Sequence, residues 1–340
     1  MNARPRMLVL AGDPTGIGPE ITAKLLAMPE TRRAASITLL GDPDVFAAGA
    51  KVAGVPHSIF DGLPIVEYRA SGAPYPTGRV SREAGAFTLG TLRAACEQIR
   101  AGATDAFLFA PLNKQAMKLA GLEQEDEMHF FAHVLGVKTL CSEINIAEPL
   151  WTTRVTSHVP LKDVAHLVTT DGIYAAIHQV NVMLRRIRTE PRIGVAALNP
   201  HAGEGGLLGT EEIDIITPAI EQARAAGVLA FGPLPPDTMF VRARKGEFDA
   251  IVTMYHDQGQ IATKLLGFER GVTLQAGLPV PVVTPAHGTA FDITGKGIAN
   301  PGAILEAFRV GVQACTGPAA CLSHGPEDGN RTRTQQLGRL

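Results

Sequence analysis

With 340 residues, 45% of them hydrophobic and 19% charged, the chain is long enough for two domains or one large one, and its mean hydropathy of +0.10 suits a soluble globular protein. A formal net charge of -2 removes any electrostatic reason to expect nucleic acid or an anionic membrane as partner. Aromatics are scarce at 5% while Gly (36) and Pro (24) are plentiful, which suits an α/β protein whose helices pack closely on a sheet.

Short apolar runs alternate with helical patterns nearly throughout. Met7–Ala11 (MLVLA) predicts a buried strand, and a helix follows Gly12–Gly18 near Pro19, a residue suited to a first helical turn. Ser36–Leu40 repeats the strand pattern, Arg82–Arg100 reads as a long amphipathic helix, and Ala106–Ala110 (AFLFA) as another strand. Next come a strand at Trp151–Thr156, a helical stretch from Leu161 to Arg188 and a strand at Ile193–Leu198. A helix at Glu211–Ala226 and a strand at Ala250–Tyr255 follow. The alternation predicts parallel sheets with helices on both faces, and strands so uniformly apolar are buried on both sides. After Ala320 the tail turns polar and is expected to be extended or disordered. Cys96, Cys141, Cys315 and Cys321 show no CxxC spacing and read as reduced thiols. Met1–Arg6 is polar, and no stretch approaches the roughly 18 apolar residues of a membrane span. A soluble, cytoplasmic protein is expected.

In an open parallel sheet, ligands bind in the loops that follow the carboxyl ends of strands. Three such loops here carry histidine: His158 in Thr156–Pro160, His201 in Leu198–Glu204 and His256 in Met254–Gly259. Imidazole is a borderline ligand for zinc, cobalt, manganese or iron. Asp257 and Asp237 stand close enough in sequence to complete a coordination shell or orient a ligand. Each histidine taken alone reads equally as a loop residue bonded to backbone. His129 and His133 share helical spacing in HFFAH, but Phe130 stands where a zincin needs glutamate, and the segment reads as core.

Gly12–Glu20 (GDPTGIGPE) follows a strand and opens a helix, as a dinucleotide fingerprint does. The third glycine is absent, because Ile21 occupies its place, and Pro19 removes a donor that would face a phosphate. His287–Pro301 (HGTAFDITGKGIANP) is richer. Its small residues permit close approach of a flat ligand, and a carboxylate such as Asp292 can accept from both ribose hydroxyls, which selects NAD over NADP. A glycine-rich crossover loop would look the same. Lys114 and Lys264 are candidate proton-transfer or carboxylate-binding groups, although most lysines are solvated surface.

Taken in order, GDPTGIGPE, PLNK, TSHVPL, LNPHAGEGG, GPLPPDTMF, MYHDQGQ…K and HGTAFDITGKGIANP closely resemble the 4-hydroxythreonine-4-phosphate dehydrogenase family of vitamin B6 biosynthesis, from about Met7 to Phe308. The last motif is also similar to the adenosine-binding loop of isopropylmalate and isocitrate dehydrogenases. The resemblance implies two α/β/α domains with parallel or mixed sheets and an active site in the cleft between them. Residues 1–125 and 265–320 would form a discontinuous NAD-binding domain, 126–264 a metal, substrate and dimerisation domain, and 321–340 a tail. It also implies a homodimer with shared active sites.

By the same resemblance His158, His201 and His256 hold one divalent metal (Zn, Co, Mn or Mg), with Asp237 and Asp257 beside it. Lys264 contacts substrate, Lys114 assists proton transfer, and His287, Gly288, Thr289, Asp292 and Asn300 bind NAD. The reaction implied is oxidation, followed by decarboxylation, of a β-hydroxy acid. Four positions depart from the family pattern. Its substrate-binding His and Thr are here Glu127 and Met128, and its Asn and Arg are Thr273 and Val282. An acid gained and a guanidinium lost weaken an anion site. A non-phosphorylated acid, such as an aromatic cis-dihydrodiol carboxylate, is therefore an alternative substrate. A three-histidine zinc hydrolase is the alternative from another class.

Overall fold

A computed structural model describes residues 4–71 and 75–317. The first part of the chain forms β1 (Arg6–Leu10), α1 (Gly18–Leu26), α2 (Pro29–Ala34), β2 (Ser36–Gly41), α3 (Pro43–Ala53), β3 (Ile65–Glu67), α4 (Arg82–Arg100) and β4 (Ala106–Phe109). There follow α5 (Lys114–Leu119), α6 (Glu127–Leu135), β5 (Ser142–Ala147), β6 (Leu150–Arg154), α7 (Val164–Leu167), α8 (Thr170–Arg185) and β7 (Arg192–Ala196). The remainder is α9 (Thr217–Ala225), β8 (Leu229–Leu234), α10 (Pro236–Arg244), β9 (Ala250–Thr253), α11 (His256–Gly267), β10 (Val272–Ala276), β11 (Val282–Pro285) and α12 (Gly302–Thr316).

Among the described residues the strands make one mixed, 11-stranded sheet in the order β3-β2-β1-β4-β11-β10-β5-β6-β9-β7-β8. Strands β1 to β4 and β11 run parallel, as do β6 to β9. Between these blocks β10 is antiparallel to both β11 and β5, and β5 is antiparallel to β6. The two parallel blocks therefore point in opposite directions. The helix expected from Leu161 to Arg188 is broken into α7 and α8, and that expected at Glu211–Ala226 starts as a π turn (Glu212–Ile216) before α9. Strands β3, β5, β8, β10 and β11 went unanticipated. The polar tail after Ala320 lies outside the described residues, as does Cys321.

Packing explains which face each central strand shows. Along β5, Ile144 and Ile146 alternate with Glu143 and Asn145. The register sets Leu274 against Ile144 and Val272 against Ile146 on β10, and Trp151 against Ile146 on β6. These apolar residues share one buried cluster with Ile177 and Val180 of α8 and Ile304 and Phe308 of α12. Each large side chain so buried contributes roughly 1.5–3 kcal/mol. The opposite face of the same strands is polar and lies under α11. A second apolar cluster, with Phe107, Phe109, Phe130 and Phe131, joins α4 and α6 to β4 and takes in the phenylalanines of HFFAH. Among the described residues, no helix is long and apolar enough to cross a membrane.

Candidate functional site

Because β6, β9, β7 and β8 are adjacent and parallel, the segments leaving their carboxyl ends stand side by side. They carry, in that order, His158, His256, His201 and Asp237. The rings of His158 and His256 lie together, 5.4 Å between centroids. His201 sits one strand over with its side chain 66% exposed, and Asp237, in the first turn of α10, is also exposed. Among the described residues, no group of three or more His, Cys, Asp or Glu is gathered closely enough to hold a metal ion. The structure thus pairs two of the three expected ligands and leaves the third on the neighbouring loop.

One feature is shared by all three. A carboxylate faces Nδ1 of each ring: Glu125 at 3.5 Å from His158, Glu204 at 3.1 Å from His201 and Asp257 at 2.7 Å from His256. A carboxylate there holds the proton on Nδ1 and leaves Nε2 as an acceptor, the preparation an imidazole ligand needs. In ligand chemistry the three residues fit a borderline divalent cation.

The His201 loop is held in an uncommon shape. His201, Ala202 and Glu204 have φ of 50°, 54° and 43°, in the left-handed region that non-glycine residues rarely occupy. Buried Glu212 anchors the loop's start, its Oε1 accepting from the backbone N–H groups of Leu198 (2.8 Å) and Asn199 (2.7 Å). Sequence reasoning missed Glu212, which lies eleven residues beyond His201 in a stretch that reads only as helix.

A cavity of about 340 Å³ lies against the polar face of β10, β5 and β6, beneath α11. One end takes His158 and His256; the other takes His287 and Gly288 from the segment after β11. It joins the carboxyl ends of the two opposed parallel blocks, where ligands are expected. Lys114, which opens α5 after the Asn113 cap, Lys264 from α11, and Glu127 and Thr273 also line it. Met128 is buried beside an adjoining cavity of about 330 Å³, and Val282 is fully buried in the β4–α4–α6 core and lines neither. Burial pushes the Glu127 carboxyl above the usual carboxylate range. His129 is held by Asp126 at 2.7 Å and borders the adjoining cavity.

The floor of the main cavity is a hydrogen-bonded network of which only Thr273 was expected from the sequence. Arg154 donates from Nε to Ser157 Oγ (2.9 Å) and from Nη1 to Asn145 Oδ1 (2.7 Å), and it pairs with Glu143 at 2.5 Å. Asn145 Oδ1 also accepts from Gln260 of α11, and Asn145 Nδ2 donates to Thr273 Oγ1 at 3.2 Å. The signal that could have found it is the polar-apolar alternation of Ser142–Ala147.

The glycine-rich segment runs from the cavity toward α1 and α3. Thr289 is buried, and its carbonyl accepts from the N–H of Ile17 at 3.0 Å. Asp292 and Asn300 are exposed, with Asn300 Oδ1 accepting from Gly302 N–H at 2.8 Å. Thr294 and Gly295 border a further hollow of about 260 Å³ with Gly49 and Tyr75. Glu20 and Lys24 of α1 tie the segment down: Lys24 Nζ donates to the carbonyls of Gly297 and Ala299, and Glu20 accepts from Ala299 N–H. The glycines of GDPTGIGPE serve packing, since a Cβ at Gly18 would lie 2.1 Å from the Ala11 carbonyl oxygen and one at Gly16 would lie 2.7 Å from Thr289 Cβ.

The comparisons with known proteins agree with one another. A family model described as "Pyridoxal phosphate biosynthetic protein PdxA" matches residues 24–311. A Pseudomonas aeruginosa protein carrying the name 4-hydroxythreonine-4-phosphate dehydrogenase 2 is 46% identical over 322 residues, covering 90% of this chain and 96% of its own. A D-threonate 4-phosphate dehydrogenase of Bordetella bronchiseptica is 37% identical over 328 residues, covering 92% and 93%. Among solved structures, a 4-hydroxythreonine-4-phosphate dehydrogenase from Burkholderia phymatum has a TM-score of 0.79 at 33% identity and covers 92% of this chain and 99% of its own. A terephthalate 1,2-cis-dihydrodiol dehydrogenase from Burkholderia xenovorans has a TM-score of 0.68 at 28% identity and covers 91% and 98%. Sheet order, histidine-bearing strand ends and these likenesses converge, and the chain belongs to the PdxA family of dehydrogenases.

Proposed function

We propose that this chain is an NAD-dependent, divalent-metal-dependent dehydrogenase that oxidises a β-hydroxy acid at its CH–OH carbon and then releases carbon dioxide. The observation that carries the reading is one cavity lined by His158, His256, Lys114, Lys264 and the start of the glycine-rich segment. His158, His256 and His201 would hold the metal, with Asp257 orienting His256 through Nδ1 and Asp237 standing in the first turn of the helix that follows the outermost strand of the same block. When bound, the metal supplies a Lewis acid that acidifies the substrate hydroxyl, and the nicotinamide ring supplies the hydride acceptor. Lys264 pairs with the substrate carboxylate, and Lys114 moves the hydroxyl proton. Glu127 and Thr273 contact the substrate from the cavity wall, while Met128 and Val282 act only through packing behind it. His287, Gly288, Thr289, Asp292 and Asn300 hold NAD, Asp292 accepting from the ribose hydroxyls.

The same reading divides the chain into residues 1–125 with 265–320 and residues 126–264, and makes it a homodimer with shared sites. A substrate without phosphate is favoured by one observation: half-buried Glu127 shares the cavity with Glu143. The test is NADH formation by the full-length protein across 4-hydroxythreonine 4-phosphate, phosphorylated sugar acids and aromatic cis-dihydrodiol acids. Turnover is expected to stop with EDTA, return with zinc, cobalt or manganese, and be lost with zinc binding in His201→Ala. Calorimetry showing neither NAD nor zinc bound would sink the reading.

A further inference from the structure

We infer that the polar face of β5, β6 and β10 beneath α11 is a hydroxyl-reading floor, and that the substrate is a polyhydroxylated carboxylic acid without phosphate or aromatic ring. The inference rests on the dehydrogenase reading above and names the substrate class of that site.

A phosphate site needs a guanidinium fork or several unopposed cations. Arg154 supplies the cavity's guanidinium, yet its side chain is 8% exposed and is engaged by Glu143, Asn145 and Ser157. Glu127 and Glu143 add two carboxyl groups to the same walls, leaving the ammonium groups of Lys114 and Lys264 as the cations not tied to Glu143. One lysine matches a carboxylate. A phosphate dianion beside Glu127, with Arg154 already committed to Glu143, would be poorly compensated.

Asn145, Gln260, Thr263, Thr273 and Thr284 line the cavity with neutral donors and acceptors. Asn145, Gln260 and Thr273 are already oriented by one another, and Thr263 is fixed by Thr152 of β6 at 3.1 Å. Pre-oriented amides and hydroxyls recognise substrate hydroxyls with the hydrogen-bonding capacity that their mutual contacts leave over, and a flat apolar ring would leave that capacity unused. The available volume of about 340 Å³ takes a short-chain sugar acid with room for a nicotinamide ring.

The experiment pairs D-threonate with D-threonate 4-phosphate, adding D-gluconate and an aromatic cis-dihydrodiol carboxylate. NADH formation is followed with zinc-loaded full-length protein. The unphosphorylated sugar acids are expected to exceed the other two in kcat/KM by about 100-fold or more. Asn145→Leu and Gln260→Leu are each expected to raise their KM roughly 10-fold with kcat little changed, the size of one or two lost hydrogen bonds. Preference for the phosphorylated or the aromatic acid overturns the inference. So does an unchanged KM in both variants, provided their thermal midpoints match the parent's. If no acid turns over, D-threonate and D-gluconate are titrated calorimetrically into the NAD- and zinc-loaded protein. Absence of binding overturns the inference alone, whereas failure of the protein to take up NAD and zinc overturns the dehydrogenase reading beneath it.

Discussion

Glu127 is an acid placed where water cannot easily follow its charge. Burial raises its pKa; hydrogen bonding to its own backbone N–H and the Lys114 ammonium draw it down, and Asp126 and Glu143 push it up again. Its folded pKa therefore lies above the unfolded value of 4.5. The stability this group contributes is full below the unfolded pKa and is lost as pH rises through the folded one. Glu127→Gln, which imitates the neutral acid, is expected to match the parent in urea midpoint near about pH 4 and to surpass it near about pH 8. Parallel midpoint curves for the two proteins would show that the carboxyl is ionised without penalty. Glu212 is a buried carboxyl group of another kind, one that accepts from two backbone N–H groups at the base of the His201 loop. Glu212→Ala strands both donors and is expected to cost about 2–6 kcal/mol in urea unfolding, at about 1–3 kcal/mol for each. Zinc affinity should fall with it, by roughly 10- to 100-fold on titration, because the loop that presents His201 loses its anchor. Undiminished zinc binding would separate Glu212 from the site.

Among the elements, α1 and α3 cross so closely that Gly49 is required where they meet. A Cβ there would lie 2.3 Å from the Pro19 carbonyl oxygen, which is backbone and has little freedom to retreat. Gly49→Ala is expected to destabilise the fold by roughly 1–3 kcal/mol of overpacking, read as a lower urea midpoint with unchanged slope. An unaffected midpoint would show that the helices part at little cost. The same contact borders the hollow beside Thr294 and Gly295, so helix packing and the placement of the glycine-rich segment depend on each other. On the other half of the sheet, β5 and β6 carry the site in their alternation: apolar residues hold α8, polar residues face α11.

For the molecule as a whole, the antiparallel strands β10 and β5 join two parallel blocks of opposite direction. The cavity draws residues from the strand ends of both. The outward side of α11, which roofs it, exposes Ile261 (63%) and Leu265 (84%) one turn apart. Apolar side chains so displayed are stabilised by a partner, and the proposed partner is a second copy of this chain. Sedimentation is expected to give about twice the 35.9 kDa chain mass, with specific activity falling on dilution. A concentration-independent monomer of full activity would remove the dimer and the shared site together.

By itself the sequence determined the α/β class, most strands of the two parallel blocks, the α4 helix and the identities of the histidines, because each is written in a local pattern or an ordered motif. His158, His201, His256, Lys114, Lys264 and His287 were all legible in this way. Strands β5 and β10 were not, since a six- or five-residue run with one polar face looks like a loop until its partners are known. Only the tertiary structure decided that Glu143, Asn145, Arg154 and Gln260 form one floor, that Val282 lies in the core, and that His201 stands one strand away from the paired His158 and His256. The reason is physical. Register and strand order bring together residues far apart in sequence, 128 positions for Asn145 and Thr273, and no local propensity encodes such a pairing.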